Sequence, residues 1–351
     1  MTEIEGAGQV REEDAFDVEA VRTWLAEHGR ELSGDIEVKQ FGGGASNLTY
    51  SLRTGRDDLI LRRPPAGQKA KGAHDMGREF NIQSALQGPF GLVPTMVAFC
   101  EDESVIGSEF YVMERVDGII PRKNMPRDVT LGEAQVERLC TNALDTLIKL
   151  HRVDPAETGL TGKGFGYVER QVTGWSTRYR NAITDDARDF ETVMVWLAEH
   201  QPEDVANVLI HNDFRFDNLV LDRDDPTRII ALLDWEMATL GDPLMDLGGT
   251  LAYWVQADDD EFFQQFRRQP TSLPGMLTRE EVVAYYCDAM GFSVTPEQWR
   301  FYEVFGLFRL AVISQQIYYR YFHKQTTNEV FAIFGPAAHY LENRCLRIIG
   351  D

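Results

Sequence analysis

The sequence predicts an α+β protein of two lobes, a small N-terminal lobe on an antiparallel sheet and a larger, mainly helical C-terminal lobe. Three observations carry this. In the first third, apolar residues recur with the two-residue period of half-buried strands, interrupted by helical stretches. From about residue 130 the dominant period becomes that of amphipathic helices. Between them, residues 110–118 (Phe-Tyr-Val-Met-Glu-Arg-Val-Asp-Gly) form an apolar strand running out into polar residues, as a hinge would. The expected division is an acidic, mobile tail over 1–15, an N-lobe over 16–116 and a C-lobe over 117–351.

In the N-lobe, Asp17 caps a helix whose apolar face is Val18, Val21, Trp24 and Leu25. Strands at 36–41 and 48–52 flank Gly42-Gly43-Gly44-Ala45-Ser46-Asn47. Consecutive glycines let the backbone approach a ligand and aim its N–H groups at phosphate oxygens. The same residues also suit a flexible hairpin turn, and alone they do not decide. A third strand, 58–62, ends on Arg62, with Lys69 and Lys71 in the loop beyond, and a helix over 74–86 carries Glu79. A strand-borne cation paired with a helix-borne carboxylate orients that cation on nucleotide phosphates. A surface pair of little consequence is the plainer alternative, but the order of glycine loop, cation and glutamate favours the phosphate reading. Two more strands follow at 93–100 and 110–116. The backbone of Glu114 and Val116 would then meet an adenine edge.

The C-lobe opens with a capping box at Thr130 and Glu133, leading a helix to His151. Residues 153–174 are glycine-rich and aperiodic, and read as a loop. A helix is expected over 186–200, a short strand over 208–210, strands over 219–221 and 228–233, and a helix around 247–255. A second capping box at Thr278 and Glu281, and Thr295-Pro296, open the last helices. Arg309, inside an apolar helix face, calls for a carboxylate or phosphate partner.

The chemistry is concentrated in His211-Asn212-Asp213-Phe214-Arg215-Phe216-Asp217-Asn218 and in the strand ending Leu233-Asp234-Trp235-Glu236. Phosphoryl transfer needs one carboxylate to take the acceptor's proton, and an amide and a second carboxylate to hold Mg²⁺. Asp213, Asn218 and Asp234 are of those types. Asp and Asn in a polar loop also make ordinary turns, so the loop gains its meaning from Arg62, Glu79 and the glycines upstream. Arg215 has two readings, a ligand of the transferred phosphoryl group or a salt bridge to Asp217.

Composition bounds the partners. At 351 residues and 39.9 kDa the chain can bury two cores. A net charge of −21 and a pI near 4.7 argue against nucleic acid and anionic membranes. The four cysteines are scattered without metal-ligand spacing, and the longest apolar run, 304–319, is broken by Arg309, Gln315 and Gln316. With no signal-like N-terminus, a cytoplasmic location is expected. Oligomeric state is left open.

In this order, from about residue 30 to 350, the motifs resemble the aminoglycoside phosphotransferase / choline kinase family, whose fold is protein-kinase-like. The residues 211–218 and 233–236 carry the resemblance most specifically. Within the family the chain looks most like the branch related to the kinase domain of acyl-CoA dehydrogenase fusion proteins, through Leu61-Arg62-Arg63-Pro64-Pro65, Arg170-Gln171 with Trp175, residues 240–248 and Phe305 to Ala311. The resemblance implies ATP as donor, with GTP not excluded, and Mg²⁺ held by Asn218 and Asp234. It makes Asp213 the catalytic base, has His211 brace the loop and Asp246 bond its backbone. Where much of the family has Lys, this chain has Arg62, a wider fork that alters the grip on phosphates.

The expected partner is a small-molecule hydroxyl acceptor. The branch implies a hydroxyacyl compound, whose anionic groups would meet Arg170, Arg178, Arg309 or Lys69 and Lys71. Resistance-type relatives imply an aminoglycoside instead, with Asp258-Asp259-Asp260-Glu261 as an acidic contact or simply a solvated helix start. A catalytically silent nucleotide-binding protein is the rival of another class. A protein kinase is disfavoured, because Asp234 is followed by Trp-Glu rather than Phe-Gly.

Overall fold

The computed structural model describes residue 4 and residues 6–42, 47–65 and 75–350. The chain divides into two compact units, one of residues 1–118 with 230–236, the other of 119–229 with 237–351.

The first unit is built on a six-stranded antiparallel sheet. Its strands are β1 (Ala7–Gly8), β2 (Glu37–Phe41), β3 (Leu48–Arg53), β4 (Asp58–Arg63), β5 (Met96–Cys100) and β6 (Phe110–Glu114), ordered β1-β2-β3-β4-β6-β5. Successive side chains alternate between faces, so the sheet buries two clusters. Tyr50, Leu52, Leu59, Leu61, Phe110 and Val112 pack with Val21, Trp24 and Leu25 of α1 (Val18–Glu27). Ile60, Tyr111 and Met113 pack with Met76 of α2 (Met76–Leu86).

The acidic tail expected over 1–15 is not one from Ala7 on. β1 pairs with β2 (Ala7 opposite Phe41), and Asp14 is buried. Its carboxylate accepts from Gln40 Nε2 (2.8 Å) and Arg11 Nε (2.6 Å), and its carbonyl accepts from the Tyr50 hydroxyl (2.8 Å) and Arg63 Nη2 (2.7 Å). The segment is thus held by polar partners on β2, β3 and β4, which hydrophobic periodicity does not register.

The second unit is mainly helical, with α3 (Glu133–His151), α4 (Pro155–Thr158), α5 (Tyr167–Asn181), α6 (Glu191–Glu199), the strands β7 (Val208–Ile210), β8 (Leu219–Leu221), β9 (Ile229–Leu232, of which only Ile229 belongs to this unit) and β10 (Thr239–Gly241), then α7 (Pro243–Leu251), α8 (Glu261–Gln265), α9 (Arg279–Met290), α10 (Pro296–Phe322) and α11 (Phe334–Gly350). From Ile230 the chain passes into the first unit and returns at Met237. α3 begins at Glu133, with Gln135 Oε1 accepting from the Gly132 N–H (3.0 Å), so the box expected at Thr130 lies two residues too early. α5 corrects the expected loop over 153–174. Its first N–H groups, on Tyr167 and Val168, are taken by the Asp204 carboxylate (2.7 and 2.8 Å), a cap supplied 37 and 36 residues away. α6 opens at Glu191 rather than 186, after Phe190 in the left-handed region.

α7 and α10 cross at glycines. A Cβ on Gly306 would lie 2.2 Å from the Gly248 carbonyl oxygen, and one on Gly248 would lie 2.6 Å from that of Tyr302. Only glycine allows this backbone approach. Among the described residues no helix is long and apolar enough to cross a membrane.

Candidate active site

In the first unit, β4 presents Arg62 on the face it shares with Ile60, the face that α2 covers. Arg62 Nη1 lies 2.5 Å from Glu79 Oε1 on α2, and its Nη2 lies 3.3 Å from Asp234 Oδ1. Glu79 is 1% exposed. Burial opposes the charge on Arg62, but Tyr111, Glu79 and Asp234 together raise its pKa. Burial pushes the Glu79 carboxyl up while the Arg62 charge pulls it down. One fork thus spans two carboxylates, which a lysine's single ammonium matches less well.

Asp234 adopts φ +65°, a conformation that Asp and Asn tolerate better than most residues. The residues around it are fixed within this unit. Leu232 N–H donates to the Leu92 carbonyl (2.7 Å), the Trp235 ring sits edge-on to Phe90, and Arg78 Nη1 donates to the Glu236 carbonyl (2.9 Å). Asn47 is buried, with Nδ2 3.4 Å from Glu236 Oε2. Gly42 N–H donates to the Gly6 carbonyl (3.3 Å), whereas Gly43, Gly44, Ala45 and Ser46 lie outside the described residues, as do Lys69 and Lys71. At the end of β6 the Glu114 and Arg115 N–H groups are engaged by the Thr95 and Asp58 carbonyls (2.8 and 2.9 Å), and Val116 carries the next N–H along.

In the second unit, β7 delivers His211 to Asn218 as a loop whose backbone is pinned from beneath. The buried Asp246 carboxylate on α7 accepts from the His211 N–H (Oδ2, 2.7 Å) and the Asn212 N–H (Oδ1, 2.8 Å). His151 Nε2 reaches the same carboxylate (3.1 Å), and His151 Nδ1 meets the Tyr286 hydroxyl at 2.5 Å. Burial acts to raise the Asp246 pKa, but the bonds and charges of His151 and His211 hold it below the usual value.

Asn212, at φ +64°, is clasped on all sides. Its Oδ1 accepts from the Tyr167 hydroxyl (3.0 Å), its Nδ2 donates to the Met237 carbonyl (3.1 Å), and its carbonyl accepts from Arg309 Nη2 (2.7 Å). His211 is fully buried, its Nδ1 3.3 Å from the Asp213 N–H. The Asp213 carboxylate accepts from Asn218 Nδ2 (3.0 Å) and lies 3.2 Å from Arg215 Nη2. Arg215 also lies 3.3 Å from Asp217 and 5.0 Å over the Tyr253 ring. Gln269 closes the loop, its Oε1 accepting from Phe216 N–H (2.8 Å) and its Nε2 donating to the Tyr253 carbonyl (3.2 Å).

The donor sets suit Mg²⁺ and a polyphosphate. Asn218, in the second unit, spends its amide N–H₂ on the Asp213 carboxylate and carbonyl, so its amide oxygen takes no part in those bonds, and Asp234, in the first unit, carries carboxylate oxygens; both are hard oxygen ligands by type. Mg²⁺ takes few protein ligands and completes its shell with water and phosphate oxygens. Arg62 Nε and Glu79 Oε2 are buried without a hydrogen-bond partner among the described residues, which leaves bonding capacity beside Asp234.

Residues 37–282 match the profile of the family described as Phosphotransferase enzyme family. The chain belongs to that family. An aminoglycoside phosphotransferase of Ralstonia eutropha, so assigned provisionally, is 30% identical, with a TM-score of 0.80 over 95% of this chain and 98% of that one. Choline kinase from Cryptosporidium parvum shares the protein-kinase-like fold (TM-score 0.60, 13% identity, 95% of this chain and 96% of that one). Acyl-CoA dehydrogenase family member 11 of Homo sapiens is 33% identical over 351 residues, 97% of this chain and 44% of that protein. Member 10 of Mus musculus is 37% identical over 295 residues, 83% and 27% respectively. This phosphotransferase-family chain therefore spans less than half the length of those two relatives.

Four supporting residues escaped the sequence reading, His151, Tyr286, Tyr167 and Gln269, because their partners lie 45 to 135 residues away. Arg170, expected near an acceptor's anionic group, instead donates to the carbonyls of Phe165 and Gly164 (both 2.7 Å), closing the turn before α5.

Proposed function

We propose that this chain is a Mg²⁺- and ATP-dependent small-molecule kinase that phosphorylates a hydroxyl group, with a hydroxyacyl compound as the acceptor. One observation carries the reading: a half-buried Asp213 carboxylate stands on a loop whose backbone is fixed by Asp246, with Asn218 and Arg215 at hydrogen-bond or ion-pair distance. Family membership supports phosphoryl transfer, and the acyl-CoA dehydrogenase names of the relatives support an acyl acceptor.

The acceptor oxygen attacks the γ-phosphorus in line, forming the new P–O bond as the bond to the β,γ-bridging oxygen breaks. ADP leaves, and the acceptor's proton passes late to Asp213 Oδ. Because the proton moves late, the carboxylate needs no raised pKa. Asn218 and Asp234 would hold Mg²⁺, which neutralises the phosphates when bound. Arg62, oriented by Glu79, would grip the α- and β-phosphates, with Gly42 to Asn47 and the 114–116 backbone around the rest of the nucleotide. Arg215 balances Asp213 and Asp217 at rest and turns to the γ-phosphoryl group in the complex.

The test is ADP release with ATP and, in parallel, GTP, against hydroxyacyl-CoA thioesters, free hydroxy acids, aminoglycosides, choline-like amines and sugars. Acceptor-dependent turnover is expected with hydroxyacyl compounds, and Asp213→Ala should lower it by about 10²–10⁴-fold. Turnover confined to aminoglycosides would replace the acceptor assignment. Unchanged turnover in Asp213→Ala would remove the catalytic role. Mg-ATP binding without turnover on any acceptor would favour a silent nucleotide-binding protein.

A further inference from the structure

α10 carries a cation, Arg309, that forms no ion pair with a carboxylate among the described residues. Arg309 is 8% exposed, and its one side-chain hydrogen bond among the described residues runs to a neutral acceptor, the Asn212 carbonyl. A buried guanidinium normally finds a carboxylate or phosphate, because desolvating a charge without a counter-ion is costly. Room for it is built into α7, where a Cβ on Gly249 would lie 2.8 Å from Arg309 Nη1.

A second cation shares its aromatic support. Arg309 Cζ lies 5.4 Å from the centroid of the Trp175 ring and Arg178 Cζ lies 4.5 Å from it. Trp175 is buried and held through its indole N–H on Gln171 Oε1 (3.1 Å). Arg178 is exposed and forms no ion pair among the described residues. Two guanidiniums on one indole, in a chain of net charge −21, concentrate positive charge where the sequence as a whole is negative. Through the Asn212 carbonyl this cluster is tied to the residue before Asp213.

We infer that Arg178, Trp175 and Arg309 form an oxyanion subsite for the acceptor, which holds a carboxylate or phosphoryl group of the molecule whose hydroxyl meets Asp213. This rests on the phosphotransfer reading for the identity of the ligand, not for the existence of the site. Guanidinium forks bind planar oxyanions through paired N–H donors, and the indole fixes the fork in place. A cationic acceptor such as an aminoglycoside would be repelled here.

The test is a binding measurement that needs no turnover. With Mg-AMP-PNP saturating to fill the nucleotide site, inorganic phosphate and acetate are titrated separately at constant ionic strength, with chloride as control, and the thermal midpoint is followed. Phosphate or acetate should raise the wild-type midpoint above the chloride control. Arg178→Ala, a change at an exposed position that leaves the fold intact, should weaken the apparent affinity about tenfold, and Arg178→Lys less. The tighter of the two anions distinguishes a phosphorylated from a carboxylate acceptor. No response above chloride, or equal affinity in wild type and Arg178→Ala, overturns the inference. A response lost in Arg178→Ala alongside absent ADP release on every acceptor would keep the subsite and refute the kinase reading.

Discussion

Replacing Asp246 by Asn separates the support of the 211–218 loop from its chemistry. The carboxylate accepts from the His211 and Asn212 N–H groups on different oxygens, and His151 Nε2 shares Oδ2. An asparagine retains one oxygen, so whichever way its amide turns, an N–H₂ group faces a backbone N–H. The loss is one charge-assisted bond at about 1.5–3 kcal/mol plus a stranded buried donor at about 1–3 kcal/mol, together about 2.5–6 kcal/mol. For a unit of this size about 2–4 °C is lost per kcal/mol, so the midpoint of its thermal transition should fall by about 5–24 °C. The pH dependence has a definite sign. The folded-state pKa is depressed, so the stabilisation is fully present above the unfolded value of about 3.9 and is lost as pH falls through the lower folded value. Urea denaturation at pH 7 should therefore show the full difference between wild type and variant, and the difference should shrink below about pH 3.9. A midpoint within 2 °C of wild type at pH 7, or a difference independent of pH, would refute the account of the loop.

Three further outcomes follow from particular contacts. Arg62→Lys replaces a fork spanning Glu79 and Asp234 with one ammonium, and Mg-AMP-PNP affinity, read by calorimetry, should fall about tenfold, or 1.4 kcal/mol; equal affinities would mean that the fork is not used. Gly306→Ala drives a methyl group into the Gly248 carbonyl and should cost about 1–3 kcal/mol in urea denaturation, with near-neutral behaviour contradicting the close α7–α10 approach. Asp242, whose carboxyl burial pushes up to about 6, accepts from the Val205, Leu244 and Met245 N–H groups. Its folded pKa exceeds the unfolded one, so the native state keeps the proton longer and stability drains as pH rises from about 4 to 6. Relative to Asp242→Asn, wild type should lose up to about 3 kcal/mol over that interval, an upper figure because three N–H donors at a helix N-terminus favour the charge. A constant difference between the two proteins would exclude the shift.

The elements visible in the sequence are those that local rules determine. The strands of the first unit follow from alternation, and the 211–218 and 233–236 segments from residue types at fixed spacing. α5 was hidden because its cap is Asp204 and its entrance is glycine-rich, so the helix is specified by a contact that no window contains. Asp14 looks like part of a tail in the sequence because its partners, Gln40, Tyr50 and Arg63, sit on three strands. Around the candidate site the reactive side chains and the tie of Asp246 to the loop backbone are legible, while the buried pair Tyr286–His151 behind that carboxylate is not. Each of its members resembles an ordinary core or capping residue until the fold brings helices 95 and 135 residues apart into hydrogen-bond range.

The excursion of residues 230–236 into the first unit bears on how this protein can be made. Asp234, Trp235 and Glu236 complete the surroundings of Arg62, Phe90 and Arg78, yet they are synthesised more than a hundred residues after Gly118, behind β7 and the 211–218 loop. On the ribosome the six-stranded sheet can form early, but it waits for this late segment with Arg62 lacking one of its two carboxylates. A fragment ending at residue 118 would carry that deficit permanently. The first unit is therefore finished only after much of the second unit has been made, which couples the biogenesis of the two units in time.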